Sequence, residues 1–479
     1  MEWKPSSDQG KAIYRQIAEF IEHKISVGEY PAGSKLPSER MLAKELKVNR
    51  STVIAAYEEL RSSGIITRKE GSGTRVSSDI WGLSRKRTPN WNRYVEYGSF
   101  LANSPLTQRL RKETLESEIV NFATGELSSD LFPTSDLQSI LSEKWFDGYL
   151  GYDHPQGNLS LRETIAAHVK KYKNIEASTS SILITSGAQQ ALHLIVQCLL
   201  KPGDAVAIED PSYCYSLPLF QSAGLRTFLL PIDQHGVNPD DIVSLYQKHR
   251  IRMVFLNPDF QNPTGTTLHL ERRKKIIELS SLYGIPIIED DPYSLTSFSG
   301  EVNPTLKSLD PSGNVLYISS LTKIVASGLR IGWVIGPDTV IERLADAKQQ
   351  VDFGHSVFPQ WVANHFLTSS SFSSHIESLR NRLQLKRDLL VQGLERYLDE
   401  EIDFLVPDGG IHLWGKLNVA INENKLLEEA VRHGVAFVPG HLMGSDKGYI
   451  RLTFGRAEVN DIQEGVTRLK AAIQHIRKH

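Results

Sequence analysis

The chain has 479 residues, of which 40% are hydrophobic and 23% charged, with a formal net charge of -2. That composition belongs to folded globular protein in about three structural units and excludes a mostly disordered chain. The two cysteines, Cys198 and Cys214, cannot make a disulfide framework or a cysteine-rich zinc site. The polar opening Met-Glu-Trp-Lys-Pro-Ser-Ser-Asp and the lack of any apolar run near ~18 residues argue against export and membrane insertion. The expectation is a cytoplasmic chain without a membrane partner. Its charge is uneven: residues 1–76 carry 13 Lys/Arg against 10 Asp/Glu, residues 77–117 carry 7 against 4, and the remainder holds 34 against 42. A basic front and an acidic body point to different partners for the two ends.

In chain order, Ile13, Ile17, Phe20, Ile21 and Ile25 recur at helical spacing until Pro31 and Gly33 break the pattern. Ser38, after Pro37, is a natural N-cap for a second helix reaching Leu46, with Glu39 at its positive end and Met41, Leu42 and Leu46 turned inward. Lys47-Val48-Asn49 is a short turn into a third helix, whose apolar face is Val53, Tyr57 and Leu60 and whose opening residues are Asn49, Arg50, Ser51 and Thr52. Two β-rich pieces, residues 65–67 and 74–76, flank a Gly-bearing turn. Three helices and such a hairpin describe a winged helix-turn-helix. A helix start rich in hydroxyls and a guanidinium suits the major groove, with Arg50 able to pair with guanine and hydroxyls able to hold phosphates. Residues 77–117 lack sustained periodicity; they carry Arg85-Lys86-Arg87, Arg109, Arg111, Lys112, Trp81 and Trp91, and read as a linker.

The wording of the front segment is more specific. Pro31-Ala-Gly-Ser-Lys-Leu-Pro-Ser-Glu-Arg40, then Leu46-Lys-Val-Asn-Arg-Ser-Thr-Val53, then Gly71-Ser-Gly-Thr-Arg-Val76 resembles the GntR-type winged-helix domain across residues 11–76. The resemblance implies that Arg40, Asn49, Arg50, Ser51, Thr52 and Gly71 meet a double-stranded DNA operator, with Arg50 reading bases. Glu70 stands where some members of that family have histidine.

From about residue 180, short apolar runs alternate with helical stretches: Ile182–Thr185, Ala205–Ile208, Arg226–Leu230, Arg252–Leu256, Ile285–Ile288, Val315–Ile318 and Gly332–Ile335. This alternation predicts an α/β body, a mostly parallel sheet flanked by helices, and the strand-like run Ile411–Leu417 with a last helix at Asp461–His475 predicts a smaller α+β C-terminal lobe. No Gly-x-Gly-x-x-Gly follows the first strand and no cluster has metal-ligand spacing, so neither a dinucleotide nor a metal is expected. The unusual residues fall at strand ends, where open α/β sheets bind ligands. They are Ser186-Gly-Ala-Gln-Gln190 before a helix read as Ala191–Leu200, Asn257-Pro-Asp-Phe-Gln-Asn-Pro-Thr-Gly265, Glu289-Asp-Asp-Pro-Tyr293, Ser319-Ser-Leu-Thr-Lys-Ile324 and Ser327-Gly-Leu-Arg330. Together they offer a phosphate cradle, an acid, a phenol, an amide, a lysine and an arginine, the set that pyridoxal 5'-phosphate needs.

In these motifs the body resembles a fold-type I aminotransferase of the aminoadipate/kynurenine group. The resemblance implies Lys323 as the Schiff-base lysine and Asp290 on the pyridine nitrogen, with Asp291 the alternative on residue type alone. It places Asn262 and Tyr293 on the ring oxygen, Tyr213 on the ring face, and Ala188, Gln189, Ser320, Thr322 and Arg330 on the phosphate. Tyr152 would reach the phosphate across a homodimer interface, and Arg451 would hold a substrate or effector carboxylate. His412 and His441 read as packing or loop residues. The expected organisation is residues 1–78 for the DNA-binding head, 79–117 for the linker and 118–479 for the cofactor-binding body. That arrangement resembles the MocR-type bacterial transcription regulators and implies sensing of an amine or amino acid through an external aldimine formed in place of Lys323. The alternative on sequence is a working aminotransferase with a DNA-binding appendage, since every residue transamination needs is present.

Overall fold

The computed structural model describes residues 3–6, 10–69, 73–78, 91, 94, 95, 98–115, 118–146, 148–418, 421–444 and 447–478. The chain divides into two units, Met1–Gly98 and Ser99–His479.

In the first unit, helices Ile13–Ser26, Glu39–Leu46 and Arg50–Ser62 are followed by an antiparallel hairpin, Ile66–Lys69 with Gly73–Val76, in which Ile66 faces Val76. Ser38 caps the second helix, its side chain accepting from the Met41 amide at 3.3 Å. Ile17, Ile21, Leu42, Leu46, Val53, Tyr57, Leu60, Ile66 and Val76 close a single core. Met41 is 66% exposed, against the expectation that it turns inward, and Ala43 is buried instead. At about 100° per residue Leu42, Ala43 and Leu46 form one stripe, and Met41 falls outside it.

In the second unit an eight-stranded sheet runs in the spatial order Ile182–Thr185, Gly332–Ile335, Val315–Ser320, Ile287–Asp290, Met253–Leu256, Ala205–Asp210, Arg226–Asp233, Gly236–Val237. Every strand except Gly332–Ile335 and Gly236–Val237 runs the same way. The strands Ile182–Thr185, Met253–Leu256, Ile287–Asp290 and Val315–Ser320 are buried along their whole length, as a sheet covered by helices on both faces requires, and their polar residues fall at the ends. A separate four-stranded antiparallel sheet, Ile402–Phe404, His412–Leu417, Tyr449–Thr453 and Val438–Pro439, forms the C-terminal lobe with the helix Ile462–Lys478.

This unit begins inside the segment read as linker. Pro105–Glu113 is a helix, capped by Ser104, with Leu110 buried in the main core and Arg109 bonded to Glu113 and Glu428. Phe100 stacks on His193 at 5.3 Å between ring centres. Trp91 is exposed, with its ring against Tyr94, and Trp81 and the cluster Arg85-Lys86-Arg87 lie outside the described residues. No helix among the described residues is long and apolar enough to cross a membrane.

Candidate functional site

In the head, the third helix starts at Arg50, and Asn49 precedes it without spending its side chain on a cap. Arg40, Asn49, Arg50 and Ser51 are exposed, and Thr52 is half-buried. The polar start of this helix therefore stands free on the surface, while Val53, Tyr57 and Leu60 hold its other face in the core. Gly71 and Glu70 lie outside the described residues.

In the body, the parallel strands end at one place and deliver their functional side chains there. Strand Ile287–Asp290 presents Asp290, and Val315–Ser320 passes through one tight turn to Lys323. The C-terminal lobe contributes His412 and Arg451 from two paired strands.

Asp290 is buried. Its Oδ2 accepts from the Tyr213 hydroxyl, and its Oδ1 has no hydrogen-bond partner among the described residues. Burial pushes its pKa up to about 6, against the Tyr213 bond, and the Asp291 charge adds to the rise. Asp291 is consumed within the fold. Its Oδ1 accepts from the Ser294 amide at 3.0 Å, and its Oδ2 accepts from the hydroxyls of Ser294 at 2.6 Å and Tyr317 at 2.8 Å. Against the cost of burial, Lys173 at 3.3 Å and these donors hold the Asp291 carboxyl below its ordinary range.

Lys323 is half-buried and its Nζ donates to the Gly125 carbonyl. Burial, and then the Arg451 charge, pull its pKa down to about 8, with Glu126 and Asp290 opposing. Arg451 is 5% exposed. Its Nη1 donates to Asn262 Oδ1 at 2.9 Å and its Nη2 to the Ala123 carbonyl at 2.6 Å, while its Nε has no partner among the described residues. No carboxylate pairs with it among the described residues, and burial pulls its pKa down to about 10. Tyr293, buried, lies 3.2 Å from His412 Nε2, and His412 Nδ1 lies 3.0 Å from Thr453 Oγ1. Burial and the Arg451 charge keep His412 neutral, and burial raises the Tyr293 phenol. His412 thus packs, as expected, but it packs on a site hydroxyl, a contact no local pattern announces. His441 sits 2.9 Å from Glu423.

The helix after the first body strand begins at Ala188 rather than Ala191, so Ala188 and Gln189 occupy its first turn, where amide groups lack helical partners. Gly187 before it has φ +78°, and a Cβ there would stand 2.8 Å from Arg330 Nη2. Arg330 reaches across to the Ser186 carbonyl at 2.7 Å. Ser320 is buried and Thr322 half-buried beside Lys323. Tyr152 is not brought to this cluster: it is 75% exposed and its ring packs edge-on against Phe353 at 4.9 Å.

The donor set fits pyridoxal phosphate. An open buried carboxylate oxygen suits a protonated ring nitrogen, and a helix start with a glycine beside a guanidinium suits a phosphate. A neutralisable lysine suits an aldehyde carbon.

A winged helix-turn-helix joined to a fold-type I aminotransferase body defines the class. Residues 13–76 match the family Bacterial regulatory proteins, gntR family, and residues 117–469 match Aminotransferase class I and II. The chain is 39% identical to the uncharacterised HTH-type transcriptional regulator YdfD of Bacillus subtilis, covering 97% of this chain and 96% of that one. It is 30% identical to the HTH-type transcriptional regulator NorG of Staphylococcus aureus over 92% of this chain and 100% of NorG. The structure of the Pyrococcus horikoshii kynurenine aminotransferase, solved with PMP, superposes with a TM-score of 0.75 at 32% identity, covering 81% of this chain and 98% of that one. The Thermus thermophilus α-aminoadipate aminotransferase LysN, complexed with N-(5'-phosphopyridoxyl)-L-leucine, gives 0.71 at 28% identity, covering 77% and 95%. The chain belongs to the MocR-type HTH transcriptional regulators, in which a GntR head is fused to an aminotransferase class I and II body.

Proposed function

We propose that this protein is a pyridoxal 5'-phosphate-dependent transcription regulator that binds an operator through its head and senses an amine or amino acid at Lys323. The observation that carries the reading is the pair Lys323 and Arg451: an amine tuned toward neutrality beside a buried guanidinium that lacks a carboxylate partner among the described residues. The bound cofactor supplies an aldehyde carbon open to primary amines. Lys323 would hold the aldehyde carbon in competition with an incoming amine, and Asp290 would hold the ring nitrogen. Asn262 and Tyr293 orient the ring oxygen, with His412 fixing the phenol. Ala188, Gln189, Ser320, Thr322 and Arg330 would hold the phosphate, and Tyr213 would cover the ring face. Arg451 takes a carboxylate by a charge-assisted bond. In the head, Arg50 reads bases while Arg40, Asn49, Ser51, Thr52 and Gly71 position the duplex.

Two copies complete the assembly in this reading. Trp145, Tyr149, Leu150, Tyr152 and Phe353 are all exposed, and a second copy that covers them brings its own Tyr152 to the phosphate. Light scattering at micromolar concentration tests this, and a monomer refutes it.

The test of sensing is an absorbance titration of the cofactor-loaded protein with a panel of amino acids and amines. A stable change in the cofactor band without keto acid release is expected. Conversion to the pyridoxamine form, reversed by a keto acid, would make the body a working aminotransferase instead.

A further inference from the structure

The segment Ala123–Glu126 runs along the site and is held at several points. Phe122, just before it, accepts from the Thr453 amide at 2.8 Å, and Ala123 accepts from Arg451 at 2.6 Å. Gly125 accepts from Lys323, and Glu126 Oε1 accepts from the Ser327 hydroxyl. Arg451 therefore stands at one end of this short stretch, Lys323 in the middle and Glu126 at the other end. Three residues of backbone span about 10 Å at most. Glu126 is half-buried, its second oxygen accepts no hydrogen bond among the described residues, and no cation pairs with it there. The residue before it, Gly125, carries the Lys323 amine on its carbonyl.

A fastening to Ser327 needs only a hydroxyl or an amide at this position. A carboxylate that keeps one oxygen open beside an amine-binding centre does more: it repels a second carboxylate and attracts a second cation. We propose that Glu126 sets effector specificity, selecting an α-amino acid that carries a second, cationic nitrogen on its side chain, with Arg451 on the carboxylate and Glu126 on the distal ammonium. The inference rests on the effector-sensing reading above and deepens it by naming the chemical class. A discrimination of tenfold or more against neutral or acidic side chains of equal length is expected from one partly screened charge pair.

The experiment uses the full-length protein loaded with cofactor and three probes of similar length: L-ornithine, L-norvaline and L-glutamate. Apparent affinities are read from the cofactor band and, independently, from tryptophan fluorescence. Ornithine is expected to bind at least tenfold tighter than norvaline, with glutamate weakest. Glu126→Gln, which keeps an acceptor for Ser327, should bring the three within about threefold of one another, and Glu126→Asp should keep their order. Norvaline or glutamate binding as tightly as ornithine overturns the inference, as does an unchanged order in Glu126→Gln. Response to the probes without cation preference overturns this inference alone. No response to any amine overturns it together with the sensing reading.

Discussion

The carboxylates of Asp290 and Asp291 sit on successive residues at the end of one strand and have opposite surroundings. Among the described residues Asp290 keeps Oδ1 without a partner, whereas Asp291 pairs with Lys173 and accepts from Ser294 and Tyr317. Asp290 ends the strand Ile287–Asp290, and Asp291 opens the turn that follows, where the Ser294 amide and hydroxyl reach back to it. Asp291→Asn removes one partner of a buried pair and leaves the Lys173 charge uncompensated. The expected cost is ~3–5 kcal/mol, read as a lower midpoint in thermal or urea unfolding of the cofactor-free protein. Asp290→Asn should spare the fold and shift the cofactor band, because the ring nitrogen loses its charged partner. Equal destabilisation by the two variants would show that their surroundings do not differ.

Asp290 also predicts how stability follows pH. Its folded pKa is raised to about 6 from the usual 3.8, so the folded state binds its proton more tightly than the unfolded state does. Stability from this group is therefore fully present below pH 3.8, falls as pH rises toward 6, and is absent above. Asp290→Asn removes the charge, so it should stabilise the cofactor-free protein at pH 8 by up to ~3 kcal/mol, with a smaller gain at pH 5. Unfolding at the two pH values checks this; a gain that grows on acidification would refute it.

Lys323, pulled down to about 8, should capture the cofactor aldehyde faster as pH rises through 8 and level off above, because only the neutral amine attacks. Arg451 contributes to that lowering, so Arg451→Gln should move the midpoint upward. Stopped-flow loading of the cofactor-free protein measures both. A flat profile between pH 7 and 9, or a downward shift in the variant, would count against the arrangement.

Much of this was legible in local patterns, and the exceptions have physical causes. The Ser38 cap, the Val53-Tyr57-Leu60 face and the body strands follow from capping chemistry and from period, both properties of neighbouring residues. The helix Pro105–Glu113 has a Ser-Pro start signal but only Leu106 and Leu110 as apolar residues, too few to raise a period, and its burial comes from distant partners. The division of labour between Asp290 and Asp291 depends on distant partners, Lys173 and Tyr317, that reach only one of them, and sequence order alone does not reveal that. The contact of His412 with Tyr293 joins residues far apart in the chain, and nothing adjacent to His412 encodes it.

The two units make separable predictions. Arg50 is exposed at the start of the third helix of the head, and Lys323 lies in the body, so each substitution should strike one property. Arg50→Ala should weaken binding to DNA selected in vitro by ~1–3 kcal/mol, about five- to 150-fold, and leave the cofactor's response to effector unchanged. Lys323→Ala should leave basal DNA affinity unchanged and abolish any effect of effector on it, because no resident amine remains to be displaced. Fluorescence anisotropy across both variants, with and without effector, reads the full set. An effector response that survives in Lys323→Ala would mean that the signal enters elsewhere in the body.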